Sequence, residues 1–186
     1  MSVKKMVTCA MCLALAVVTG FIRLYQFPFG GSVTLCSMLF VMLPGWFFGP
    51  VYGCITGLCH GLINFLIEPY FMSVPQFLFD YVLAFSVMGA GGFFRKKPVL
   101  WGYFVSVAAR WIVATIAGLI WVSLGFVAWE GWSPLPYSAA YNGAYIFTEA
   151  VLTAVLLAIP SMRKALERIK AACCEEPGRG YKSKNG

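Results

Sequence analysis

The chain is predicted to be all-α, an integral membrane bundle of six transmembrane helices with the N- and C-termini in the cytoplasm. Three observations predict this. Of 186 residues, 60% are hydrophobic and 11% are charged, far from the roughly 25% charged residues of a soluble domain. The apolar residues form six stretches punctuated by Gly and Pro, and this length holds roughly six spans of about 20 residues with no separate soluble domain. Finally, Lys4-Lys5, Arg95-Lys96-Lys97 and the group Arg163, Lys164, Arg168, Lys170 all fall on one side of a six-span bundle. Arg23, Glu68 and Glu130 fall on the other, so the positive-inside bias makes the basic side cytoplasmic.

Residues 1–186 are read as a single membrane domain, with helices over about 6–22, 34–48, 51–67, 77–94, 99–126 and 138–160, and a basic cytoplasmic tail over 161–186. Helix 1 follows Lys4 and Lys5, yet no small-residue cleavage site closes it before Arg23, so it is retained rather than a secretory signal. Phe27-Pro28-Phe29-Gly30-Gly31 separates it from helix 2. Pro44-Gly45 and Gly49-Pro50 make helices 2 and 3 short, as spans beside polar cavities often are. Pro69 and Pro75 precede helix 4, Pro98 precedes helix 5, and Pro134 and Pro136 precede helix 6.

Several function classes fall away. The net charge of +7 lies in short clusters beside apolar spans, which marks topology rather than nucleic-acid binding. Cysteines 9, 12, 36, 54, 59, 173 and 174 form no disulfide framework, and Cys9-Ala-Met-Cys12 lacks a second pair with metal-ligand spacing, so no metal or cofactor is expected. No G-x-x-x-x-G-K-[ST] string occurs, and one histidine with scattered carboxylates offers no nucleophile and base. An enzyme is not expected. A stand-alone secondary transporter, which stays as the lesser alternative, normally shows internal repeats or paired broken helices, and no convincing repeat relates the two halves.

The polar residues inside the spans are therefore the informative ones. Asp80 lies in Gln76-Phe-Leu-Phe-Asp80-Tyr81, and a carboxylate in hydrocarbon costs several kcal/mol, about 3 on insertion scales, unless it meets a partner or a wet cavity. Gln76 precedes it by one turn. Helix 3 carries His60, Asn64 and Glu68 at i, i+4 and i+8, a stripe climbing to the same rim. Helix 6 opens with Tyr137, Tyr141 and Asn142 and continues to Tyr145 and Glu149. Arg110, at mid-depth in helix 5, is expected to pair with Glu149 or Asp80, to snorkel, or to meet a ligand. His60 reads either as a packing histidine or as part of a pocket wall. Trp129, Trp132 and Tyr137 belong either to an interfacial aromatic belt or to a lid over a flat ligand. In helix 1, Ala10 and Ala14, with Ala16 and Gly20, form a small-residue face for close helix packing or for a second subunit.

Four strings in this order resemble the thiamine-specific substrate-binding (S) components of energy-coupling factor transporters. They are Gly30-Gly31-Ser32-Val33-Thr34, Asp80-Tyr81-Val-Leu-Ala84-Phe85, Arg110-Trp-Ile-Val-Ala-Thr-Ile-Ala-Gly118 and Tyr137-Ser-Ala-Ala-Tyr141-Asn142-Gly143. The resemblance implies a bacterial plasma-membrane protein that takes thiamine from outside. It implies a pocket from Asp80, Tyr81, Trp129, Tyr137 and Asn142, with Tyr70 a further candidate. His60, Arg110, Trp132 and Glu149 complete the expected substrate-binding set. It also implies docking, through Ala10 and Ala14, on a transmembrane coupling subunit driven by two ATPase subunits. Two positions depart from the family: Ala114 stands where a His is usual, and His60 where some relatives have Trp. A pyridoxine-like or hydroxymethylpyrimidine-like compound is the alternative ligand.

Overall fold

A computed structural model describes residues 2–69, 71, 73–125 and 131–174. It is an all-α membrane bundle. Among the described residues, five helices are long and apolar enough to cross a bilayer, and Ser37–Phe48 is a shorter apolar one. We number the elements α1 (Val3–Phe21), β1 (Arg23–Gln26), β2 (Ser32–Thr34), α2 (Ser37–Phe48), α3 (Pro50–Ile67), α4 (Val74–Phe94), α5 (Val99–Ser123), α6 (Pro134–Ala158) and α7 (Pro160–Cys174).

The centre of the bundle is α2, in which every residue except Phe40 is buried. A helix apolar all round belongs inside a bundle. Met38, Val41, Met42 and Trp46 pack there with Met88 of α4, Tyr103 and Val107 of α5, and Ile146 and Leu157 of α6. The outer helices turn Val7, Met11, Val18, Ile112, Val151 and Val155 outward, as lipid-facing surfaces require.

Close approach of α3 to α4 rests on glycine. Gly53, Gly57 and Gly61 recur every four residues along one face of α3. A Cβ on Gly53 would lie 2.7 Å from the Gly89 Cα and 2.8 Å from the Gly45 Cα, and a Cβ on Gly57 or Gly61 would run into the carbonyl of Phe85 or Tyr81. Small residues at this spacing let backbones touch. The α4 segment so held is not uniform. Val74–Phe77 is α-helical, Leu78–Leu83 is wound as a π-helix, and Val87–Phe94 tightens to 3₁₀ geometry. Asp80 and Tyr81 lie in the π segment, where the wider turn re-aims side chains.

Three features differ from the sequence expectation. The connection between helices 1 and 2 is an antiparallel hairpin, with Arg23 opposite Thr34, Tyr25 opposite Val33 and Gln26 opposite Ser32, closed by the Phe27 N–H donating to the Gly31 carbonyl at 2.6 Å. Pairing of Ser32–Thr34 in that hairpin moves the start of α2 to Ser37. Helices 4 and 6 begin earlier than expected. Ser73 accepts the Gln76 N–H at 3.3 Å at the start of α4, and Pro134 occupies the first position of α6, where a missing N–H costs nothing. The proximal part of the expected tail is α7, an amphipathic helix with Leu166 buried. It folds back on the bundle: the Cys174 thiol donates to the Phe47 carbonyl at 3.3 Å, and the Thr8 hydroxyl donates to the Cys173 sulfur at 3.6 Å.

Candidate functional site: a polar cavity roofed by the hairpin

A cavity of about 230 Å³ opens among the hairpin, α3, α4, α5 and α6. That is below the roughly 300–1,000 Å³ of sites for drug-sized ligands, a size that suits a compact molecule. Four helices supply polar groups because each presents a stripe at helical spacing: His60 and Asn64 on α3, Gln76 and Asp80 on α4, Arg110 and Trp121 on α5, and Tyr137, Tyr141, Asn142 and Tyr145 on α6.

Asp80 is held from both sides. The Trp121 indole N–H donates to its Oδ2 at 2.6 Å, and the Gln76 amide donates to the same oxygen at 2.8 Å. Oδ1 accepts no hydrogen bond from the described residues. Of the readings open for Arg110, an ion pair with Asp80 or Glu149 is not formed. The Arg110 guanidinium instead lies over the Phe85 ring, 4.4 Å from its centroid, and among the described residues the ion pair is that of Arg23 with Glu68 at the rim of the cavity. A carboxylate fixed by two neutral donors therefore has no ion-pair partner among the described residues.

Glu149 borders the cavity and is committed to structure. Its carboxylate accepts the Met38 N–H at 3.0 Å, the Thr34 N–H at 3.2 Å, the Thr34 hydroxyl at 2.6 Å and the Ser37 hydroxyl at 3.3 Å. It caps the first turn of α2, where backbone donors and the helix dipole both favour negative charge. Buried and fourfold hydrogen-bonded, it is satisfied without a ligand.

His60 is almost wholly buried and sits edge-on to Phe85, with centroids 4.9 Å apart. Its Nε2 lies 3.0 Å from the Asn64 amide nitrogen. If that amide donates, Nε2 is the acceptor and the ring proton belongs on Nδ1, an atom with no hydrogen-bond partner among the described residues. Asn142 is more occupied. Its Nδ2 donates to the Ala114 and Ser138 carbonyls at 3.1 and 3.0 Å, and its Oδ1 accepts the Tyr145 hydroxyl at 2.6 Å, leaving one lone pair on Oδ1. Tyr137 and Tyr141 stack with planes 19° apart. Tyr141 reaches the hairpin: its hydroxyl donates to the Pro28 carbonyl and accepts the Gly31 N–H. Tyr81 donates to the Glu68 carbonyl at 3.0 Å and packs against Phe65 and Phe77.

Of the residues singled out from sequence, the cavity thus gathers Asp80, Tyr81, Tyr137, Asn142, His60, Arg110 and Glu149. Trp132 is half exposed and does not line it. Trp129 and Tyr70 lie outside the described residues. Ala10 and Ala14 are exposed on α1. Trp121 was missed, although eleven residues after Arg110 amount to about three turns and return to nearly the same face. Phe85, the ring between His60 and Arg110, was missed as a site residue. Ala114, the position of the absent His, does border the cavity.

The chain resembles known proteins over most of its length. A solved structure of ThiT from Listeria monocytogenes has the same fold, with a TM-score of 0.68 and 24% sequence identity over 86% of this chain and 96% of that one. The thiamine transporter ThiT of Bacillus subtilis (strain 168) is 28% identical over 148 residues, covering 71% of this chain and 76% of that protein. Residues 6–167 match the model of the thiamine transporter protein family, Thia_YuaJ, and the chain accordingly belongs to that family.

Proposed function

We propose that this chain captures thiamine in the hairpin-roofed cavity from the outer face and delivers it inward as the S component of an energy-coupling factor importer. The observation that carries the reading is Asp80, fixed by Trp121 and Gln76, with its second oxygen accepting no hydrogen bond and no cation paired with it among the described residues. A thiazolium is a cation of the right kind. In a poorly solvated cavity its attraction to a carboxylate is several-fold stronger than in water. Aromatic faces from Trp121, Tyr137 and Tyr141 suit flat rings. His60 Nδ1, which has no hydrogen-bond partner among the described residues, and the remaining lone pair of Asn142 Oδ1 offer polar groups to an aminopyrimidine edge.

The energy source lies elsewhere, because the chain carries no phosphate-binding loop. A transmembrane coupling subunit and two ATPase subunits complete this reading. The exposed α1 face that includes Ala10, Met11 and Ala14 is the surface proposed to meet the coupling subunit. The gathering of Lys5, Lys97 and Lys170 around Phe48, Trp46 and Tyr52 at one end of the bundle supports cytoplasmic termini.

Titration of the detergent-purified chain with thiamine, followed by tryptophan fluorescence, tests the reading. Saturable quenching is expected from Trp121. Quenching by pyridoxine or hydroxymethylpyrimidine with none by thiamine would replace the proposed substrate with its alternatives.

A further inference from the structure

At the end of the bundle away from the hairpin lies a second, wide-open hollow, between the turn that joins α4 to α5 and the last turns of α7. Arg95, Lys96 and Lys97 line it from the turn and Lys170 from α7, with Trp46 beneath them and Glu167 as the carboxylate. Four cations thus face one acid, and none of the four is in an ion pair among the described residues. From the sequence these residues read only as markers of topology.

The hollow is held in shape by specific contacts. The Trp46 indole N–H donates to the Lys97 carbonyl at 3.0 Å, which fixes the turn. The Lys170 ammonium sits 3.7 Å from the centre of the Trp46 ring and donates to the Arg95 carbonyl. Burial lowers the pKa of Lys170 from the ordinary lysine value, the mark of an ammonium short of solvent. An anion placed beside it would restore what burial removes.

The surroundings bear on which anion would fit. The turn connects the ends of two apolar spans, and those spans expose Phe93, Trp101 and Phe104. Cations at the end of a span with exposed apolar surface along it suit a molecule with a phosphate head and acyl chains. We propose that this hollow binds the headgroup of an anionic phospholipid, with its chains lying along α4 and α5.

The full chain in nanodiscs of equal phosphatidylglycerol and phosphatidylcholine provides the test, with lipid retained after detergent exchange counted by native mass spectrometry. Phosphatidylglycerol should be retained in preference, and Lys96→Gln combined with Lys97→Gln should lower its retention by about tenfold. Lys164→Gln with Arg168→Gln removes the same charge from exposed positions outside the hollow and should change retention by less than about twofold. Equal losses in the two double variants, or equal retention of both lipids, would overturn the proposal. Displacement of the lipid by millimolar inorganic phosphate would make the hollow a soluble-anion site and overturn it too. Loss of bound lipid on adding the coupling subunits would instead assign the surface to a protein contact. Lys96 and Lys97 are exposed turn residues, so thermal melts of both double variants should match wild type and exclude misfolding.

Discussion

At Asp80 two donors converge on one oxygen, and each can be removed separately. Trp121→Phe keeps an aromatic face but deletes the 2.6 Å hydrogen bond. Such bonds to charged groups contribute about 1.5–3 kcal/mol, so thiamine affinity should fall by roughly tenfold or more in a calorimetric titration. Gln76→Leu should have a similar effect. If both variants bind like wild type, the carboxylate is not positioned by these donors. For His60, whose Nδ1 has no partner among the described residues, His60→Phe should leave stability near wild type and weaken thiamine. A drop in melting temperature with unchanged affinity would make it a packing residue instead. The sequence made Asp80 and Arg110 legible because each is an isolated charge in an apolar helix. Trp121 was not legible in the same way, since a lone indole in such a helix looks like any lipid-facing or core ring until a carboxylate is seen beneath it.

Two elements place the cavity walls. On α3, Gly57 and Gly61 leave no space for a Cβ against the carbonyls of α4. Gly61→Ala should therefore push α4 away, at a cost of about 1–3 kcal/mol, and weaken ligand through displacement of Tyr81 and Asp80; a melting curve and a titration on one sample measure both. Glu149 ties α6 to the start of α2. Glu149→Ala strands the Met38 and Thr34 donors in a buried site, which is expected to destabilise the chain by about 1–3 kcal/mol or more. Full stability of that variant would contradict its capping role. Most of the helices could be read from runs of apolar residues between Gly and Pro. The hairpin could not, because Arg23–Gln26 and Ser32–Thr34 are too short to show alternation and their Pro-Phe-Gly turn resembles any interhelical loop. In α7, by contrast, Leu166 among charged residues was a readable helical pattern hidden by its basic composition.

For the molecule as a whole, membership in a transporter family makes this a multi-pass bacterial membrane protein of transport, not an enzyme, and its two ends differ. One end gathers the basic residues around Trp46, Phe48 and Tyr52. The other holds the hairpin, the Arg23–Glu68 pair and the cavity. If the exposed α1 face is the proposed docking surface, the bulky substitution Ala14→Trp should leave thiamine binding unchanged and abolish thiamine uptake in cells. Loss of binding in the purified variant would place Ala14 in the fold rather than at a docking surface. The most direct measurement of the central claim is a paired calorimetric titration of wild type and Asp80→Asn with thiamine and with an isosteric analogue whose second ring is uncharged. A cation held by Asp80 predicts that the substitution weakens thiamine by about 2 kcal/mol or more beyond its effect on the neutral analogue. Equal losses for the two ligands would contradict it.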